Sequence, residues 1–232
     1  MNSADSIKRN RTAAQLVGVI ASVAALACAR RLRRTPDFFE LRLDALHKSL
    51  GQIEAKICSL QAPIILTARH PKEGGEGNLS LAKRVKLLQR FLDCASLVDL
   101  ELRSAGQMSG LLADLRRRKI GLLLSCHCLK ATPAIAELHR LTNRAAAFHP
   151  AVFKLATRTD YPAQLERLTV FLSEAGRYSF PIAVMGIGKL GFLSRRRFDR
   201  AGCALTYASL GPARIEGQPS LNQLRRARHA YH

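Results

Sequence analysis

The sequence predicts an α/β chain closed into a (β/α)8 (TIM) barrel, and three observations lead there. Short apolar runs recur along the 232 residues, amphipathic segments of helical period separate most of them, and no Pro/Gly/Ser linker or low-complexity tract divides the chain. Apolar strands alternating with helices are the pattern of parallel βα repeats. Eight such runs over this length suit a barrel near the small end of its range. The expectation is one domain over 1–232, with about residues 1–12 a disordered basic N-terminus. A doubly wound open sheet is the alternative.

The first run, LVGVIAS (16–22), follows Lys8, Arg9 and Arg11, so that 13–29 has the cast of a secretory signal. A strand leading into the helix VAALACARRL fits better, because the later pattern continues it. The six cysteines, at 28, 58, 94, 126, 128 and 203, contain no CxxC pair and read as reduced thiols of a cytoplasmic protein. The remaining strands are FFELRL (38–43), PIILTA (63–68), LVDLEL (97–102), IGLLLSC (120–126), AVFKLA (151–156), PIAVM (181–185) and ALTYA (204–208). Helical periodicity covers 46–59, 80–93, 107–119, 133–144, 161–176 and 220–229. In TPAIAEL, Thr132 is the expected N-cap with Pro133 at the first helical position.

With 37 Lys and Arg against 17 Asp and Glu, the net charge of +20 suggests an anionic partner, a small acid or a polyanion. The basic clusters at 29–34, 115–119, 195–198 and 225–228 are scattered and carry almost no interleaved aromatics. They read as solvated helix ends, where cations suit the dipole, rather than as a specific nucleic-acid face. No membrane partner is expected.

Two motifs tempt and fail. MGIGKLG (185–191) holds a GxGxxG, but Thr206 and Tyr207 stand where a dinucleotide site needs an acidic residue. SCHCLK (125–130) suggests a metal, yet successive strand residues face opposite ways, so Cys126 and Cys128 turn from His127. No metal or organic cofactor is expected.

What holds is the rim. Chemistry in such barrels sits at the C-terminal strand ends. There lie Glu40, Arg42, Arg69, Glu101, His127 and Lys154, with Arg195 and Gln218 in the loops after the last two strands. Lys154, inside an apolar run, either snorkels from a strand end or is a buried nucleophile. With Glu101 and His127 on the two preceding strands, the second reading gains substance. A lysine forms an imine with a ketone, a histidine shuttles the acidified proton, and a carboxylate behind the histidine fixes its tautomer.

FFELRLDAL, ILTARHPKEGG, VDLEL, SCHCLKATP, VFKLA, MGIGKLGFLSR and ALTYASLGPARIEGQPS stand in the order and spacing of type I 3-dehydroquinate dehydratases, which the chain resembles from about 16 to 222. The resemblance implies a homodimeric barrel that converts 3-dehydroquinate to 3-dehydroshikimate in the shikimate pathway. It implies Lys154 as the Schiff-base lysine, His127 as the acid and base, and Glu101 as its orienting partner. Arg195 would grip the substrate carboxylate, while Glu40, Arg42, Arg69 and Gln218 would hold ring hydroxyls. The sequence departs from the pattern at Arg214 and Glu216, where serine and proline are usual, at Gly18 for a serine, and at Leu129 for an aromatic. Arg214 is therefore an expected lid contact. A class I aldolase-like enzyme and a non-catalytic, basic nucleic-acid-binding barrel are the alternatives.

Overall fold

The computed structural model describes residues 13–57 and 59–229. The expectation of disorder over 1–12 falls outside them. Eight strands alternate with helices: β1 Gln15–Ile20, β2 Phe38–Arg42, β3 Ile64–Thr67, β4 Ala95–Glu101, β5 Gly121–Cys128, β6 Val152–Arg158, β7 Ile182–Ile187 and β8 Leu205–Ser209. The helices are α1 Val23–Arg30, α2 Leu43–Leu46, α3 Leu50–Ile57, α4 Leu81–Arg90, α5 Leu102–Ala105, α6 Ser109–Arg118, α7 Ile135–Ala146, α8 Pro162–Ser173, α9 Gly191–Phe198 and α10 Leu221–His229.

The strands form one parallel sheet in the order β7-β6-β5-β4-β3-β2-β1-β8. The seam is drawn together by Ala204 N, which donates to Ile182 O at 2.8 Å, and by the buried Cys203 thiol, which meets Val184 N at 3.3 Å. This is the nearly closed (β/α)8 barrel that the alternating pattern predicts. Its strands are continuously apolar because the helices cover their outer faces while the barrel interior fills their inner ones. The run 13–29 thus folds as β1, paired on both sides by β2 and β8, followed by α1.

Three local expectations change. Lys154 is not at a strand end but third in β6, where it is level with Ser125 and 3% exposed. Arg195 lies on α9, not in a loop; this short helix follows directly on the glycine turn, which masks its periodicity. Thr132 does not cap α7, which starts at Ile135 with Ala134 before it. The Thr132 hydroxyl instead donates to Arg158 O at 2.7 Å and meets the Thr157 hydroxyl at 2.9 Å, tying the loop to β6. The basic run at the end of α6 behaves as expected, with Arg116, Arg117 and Arg118 all exposed.

Candidate active site

A cavity of about 620 Å³ opens at the C-terminal end of the barrel, lined by Glu40, Arg42, Arg69, Glu73, His127, Lys154, Arg195, Arg214 and Gln218 among others. Eight of the nine expected site residues line it; Glu101 does not. A larger hollow of about 810 Å³ at the opposite face is lined by arginines such as Arg34 and Arg225, and no lysine is among its lining residues. Chemistry, not size, distinguishes the two.

The floor of the site is a buried charge lattice. Lys154 Nζ donates to Asp99 Oδ2 at 2.6 Å, lies 3.8 Å from Glu40 Oε1, and sits 4.5 Å above the Tyr207 ring. Asp99 also receives Arg69 Nη2 at 2.6 Å and the Ser125 hydroxyl at 2.6 Å. Burial alone would push the Asp99 carboxyl up, but Arg69 and Lys154 hold it well below the ordinary range, so it stays ionised. A buried ammonium is tolerated here because it is paired, not because it reaches water. Glu40 is fixed by the Thr67 hydroxyl at 2.9 Å, and Arg42 grips Asp44 through two bonds of 2.9 and 2.7 Å.

Glu101 is a correction. It is fully buried and receives Arg69 Nη1 at 3.1 Å, His70 N at 2.9 Å and an Arg84 ion pair, with no bond to His127. The reason is register. Glu101 is level with Ser125, two residues short of His127, and that offset amounts to about 6.6 Å along a strand. The carboxylate at His127 belongs to Glu73, delivered by the short 3-10 turn Pro71–Glu73 that follows β3. Glu73 Oε2 accepts the His127 main-chain N–H at 3.0 Å and lies 2.9 Å from Nδ1. With Nδ1–H donating, Nε2 is left free to take a proton. In ILTARHPKEGG only Arg69 stands out at the strand end; Glu73, a lone acid between Lys72 and two glycines, carries no strand periodicity to mark it.

Burial, with the Arg69 and Lys154 cations beside it, holds His127 well below its usual pKa and therefore neutral. Burial raises the Glu73 carboxyl to about 7 against the pull of Arg69. A group with a raised pKa keeps its proton until the pH passes that value. Glu73 thus becomes a carboxylate, able to stabilise an imidazolium at His127, only above neutrality. Turnover is expected to rise with pH through an apparent pKa near 7. Glu73→Gln should lower kcat by roughly tenfold and flatten that limb. A pH profile unchanged in the variant would remove Glu73 from this role.

Arg195 is 3% exposed, and among the described residues its bonds go only to carbonyls: Gly186 O at 2.7 Å, Gly191 O at 2.8 Å, Tyr207 O at 3.0 Å and Gly217 O at 3.5 Å. No carboxylate touches it among the described residues, and burial lowers it to about 10. Its Nη2 group is left for an incoming anion.

The loop after β8 closes the mouth. Gly217, at φ 76°, lies so near the β7–α9 turn that a Cβ there would stand 2.1 Å from Gly188 O; only glycine fits. Arg214 and Glu216 do not pair with each other. Arg214 pairs with Glu76, and Glu216 meets Arg158 Nη2 at 2.9 Å. Two half-exposed bridges therefore pin the loop across the cavity, each worth about 0–1 kcal/mol. Arg214→Ser is expected to shift KM by about twofold to fivefold and leave kcat within a factor of about two. A larger fall in kcat with KM unmoved would make the loop part of the chemistry.

A sequence model of the type I 3-dehydroquinase family matches residues 18–232. The chain is 28% identical over 228 residues to a 3-dehydroquinate dehydratase of Shouchella clausii, covering 93% of this chain and 86% of that one. It is also 28% identical over 192 residues to that of Methanothermobacter thermautotrophicus, covering 82% and 83%. The 3-dehydroquinate dehydratase structure from Geobacillus kaustophilus superposes with a TM-score of 0.85 at 21% identity, covering 96% of this chain and 92% of that one.

Proposed function

Because the chain belongs to the type I 3-dehydroquinase family, we propose a residue-by-residue route for its reaction, the dehydration of 3-dehydroquinate to 3-dehydroshikimate. The activity is that of a hydro-lyase, and its place is the shikimate pathway. Supporting the route is one observation: a buried primary amine, a neutral imidazole and a guanidinium free of carboxylates converge on a single cavity.

The substrate carboxylate pairs with Arg195, a fork-to-fork contact that restores the charge partner its burial denies it. This sets the ring so that its C3 ketone meets Lys154. Nζ sheds a proton, attacks the carbonyl and expels water, leaving an iminium on Lys154. That cation acidifies the C2–H bond, and His127 Nε2 takes the proton to give an enamine. The enamine then pushes out the C1 hydroxyl, which His127 protonates as it leaves as water. Hydrolysis of the conjugated iminium returns the amine and releases product. Asp99 and Glu40 orient Nζ, Glu73 orients the imidazole, and Arg42, Arg69 and Gln218 line the wall that faces the ring hydroxyls. Here the imine is the electron sink, so the route calls on no metal or organic cofactor.

A homodimer and a cytoplasmic location belong to the same reading. Family membership supports the first, and the unbridged cysteines among the described residues support the second. No helix among those residues is long and apolar enough to cross a membrane. The direct test is ultraviolet absorbance of the conjugated enone as purified protein meets 3-dehydroquinate. Absorbance should grow with enzyme concentration; a flat trace at high enzyme would reject the reading.

A further inference from the structure

Cys126 and Cys128 are the fixed neighbours of His127 on β5, and the route above gives them no task. Both are half-buried free thiols at the C-terminal rim of the sheet, on the outward face of the strand. Two residues apart on one strand, their side chains point the same way, and Glu73 lies close enough to act electrostatically on both. Thiols, Glu73 and His127 are thus one contiguous group. Immediately beyond Cys128 regular structure ends, and the exposed residues Leu129 and Lys130 begin the connection to α7.

We propose that Cys126 and Cys128 are a peroxide-sensitive thiol pair whose closure to a disulfide displaces His127. The effect on turnover rests on the reading of His127 as the proton-transfer group. In an extended strand, residues two apart have Cα atoms about 6.6 Å apart with side chains parallel. A disulfide needs Cβ atoms roughly 3.5–4.5 Å apart, so this one forms only if the strand folds up locally. The residue caught between is His127, level with Ala156 of β6 and tied to Glu73 through both its main-chain N–H and its ring. Shortening the strand breaks that pair of bonds, and a displacement of about 1 Å suffices to cost roughly a hundredfold in rate. The same strain makes the bond easily reduced, so the change is reversible.

The chemistry balances with hydrogen peroxide as oxidant. Cys128, the thiol nearer the exposed connection to α7, attacks one peroxide oxygen. An S–O bond forms, the O–O bond breaks, and hydroxide leaves to become water. Cys126 sulfur then attacks the sulfenic sulfur, its proton leaving with the departing hydroxide as a second water. Two thiols lose two electrons, and one peroxide becomes two waters.

The whole protein is exposed to low hydrogen peroxide and digested with trypsin, which releases 120–130 as one peptide holding both thiols and no other cysteine. The expected result is loss of two hydrogens from that peptide, in step with a fall in turnover of about tenfold or more. The His127 ring resonances should shift alongside, and dithiothreitol should reverse all three. Cys126→Ser and Cys128→Ser should each keep the starting activity and resist the loss. A peptide that gains oxygen without losing hydrogens, a disulfide that leaves the ring resonances and turnover unmoved, or equal sensitivity in the serine variants would overturn the proposal. Should untreated protein not dehydrate dehydroquinate at all, the functional reading fails, while peptide mass and ring resonances still decide the thiol pair.

Discussion

Lys154→Ala is expected to abolish turnover, a loss of several orders of magnitude, because among the described residues no other amine lines the cavity. Lys130 and Lys189 are exposed, and the neighbouring Arg69 and Arg195 are guanidiniums that do not form imines. Borohydride added to wild-type protein during turnover should reduce the iminium to a secondary amine. Intact mass would show one adduct per chain, and peptide mapping would put it on Lys154. The alanine variant should take no adduct. It should still fold, since Asp99 keeps Arg69 at 2.6 Å and the Ser125 hydroxyl at 2.6 Å, although removing one partner of a buried ion pair costs about 3–5 kcal/mol when nothing else compensates. Circular dichroism separates that loss from a chemical one. Full activity in Lys154→Ala, or an adduct on Lys130 or Lys189, would overturn the assignment.

His127→Ala should part the two halves of the reaction. The amine and its carboxylate frame remain, so borohydride trapping persists. Proton removal and hydroxyl departure lose their shuttle, and the elimination rate is expected to fall by about a hundredfold or more. A variant that neither traps nor turns over would mean that His127 is needed to form the imine itself. Comparison with Glu73→Gln is informative. The glutamine still orients the ring, so its deficit should be the smaller of the two, while the pH limb near 7 should flatten in both.

Much of this was legible in the chain. Each strand run maps to an observed strand with ends within a few residues, because strands apolar on both faces stand out against amphipathic helices. Of the helices not expected, α2 and α5 are single turns of four residues, and α9 is eight residues long and opens at a glycine, all too short for periodicity to declare itself. Lys154 was conspicuous because an ammonium amid Val152, Phe153, Leu155 and Ala156 demands an explanation. Its partner Asp99 stands two residues before Glu101 in VDLEL, and nothing in the spacing singles it out over Glu101.

Sequence alone therefore determined the barrel and the family and singled out Lys154 and His127 as the candidate pair, since strand periodicity and the residues of VFKLA and SCHCLK are local properties of the chain. Tertiary structure decided which acid serves His127, where Arg195 sits, and what the lid residues hold. Those outcomes depend on register and on loops crossing from other strands. Glu101 and Glu73 are both carboxylates near the ends of neighbouring strand units, and a two-residue offset between β4 and β5 sends one to the arginines and leaves the imidazole to the other. An offset of that kind is fixed by how the sheet closes, and no stretch of sequence encodes it by itself.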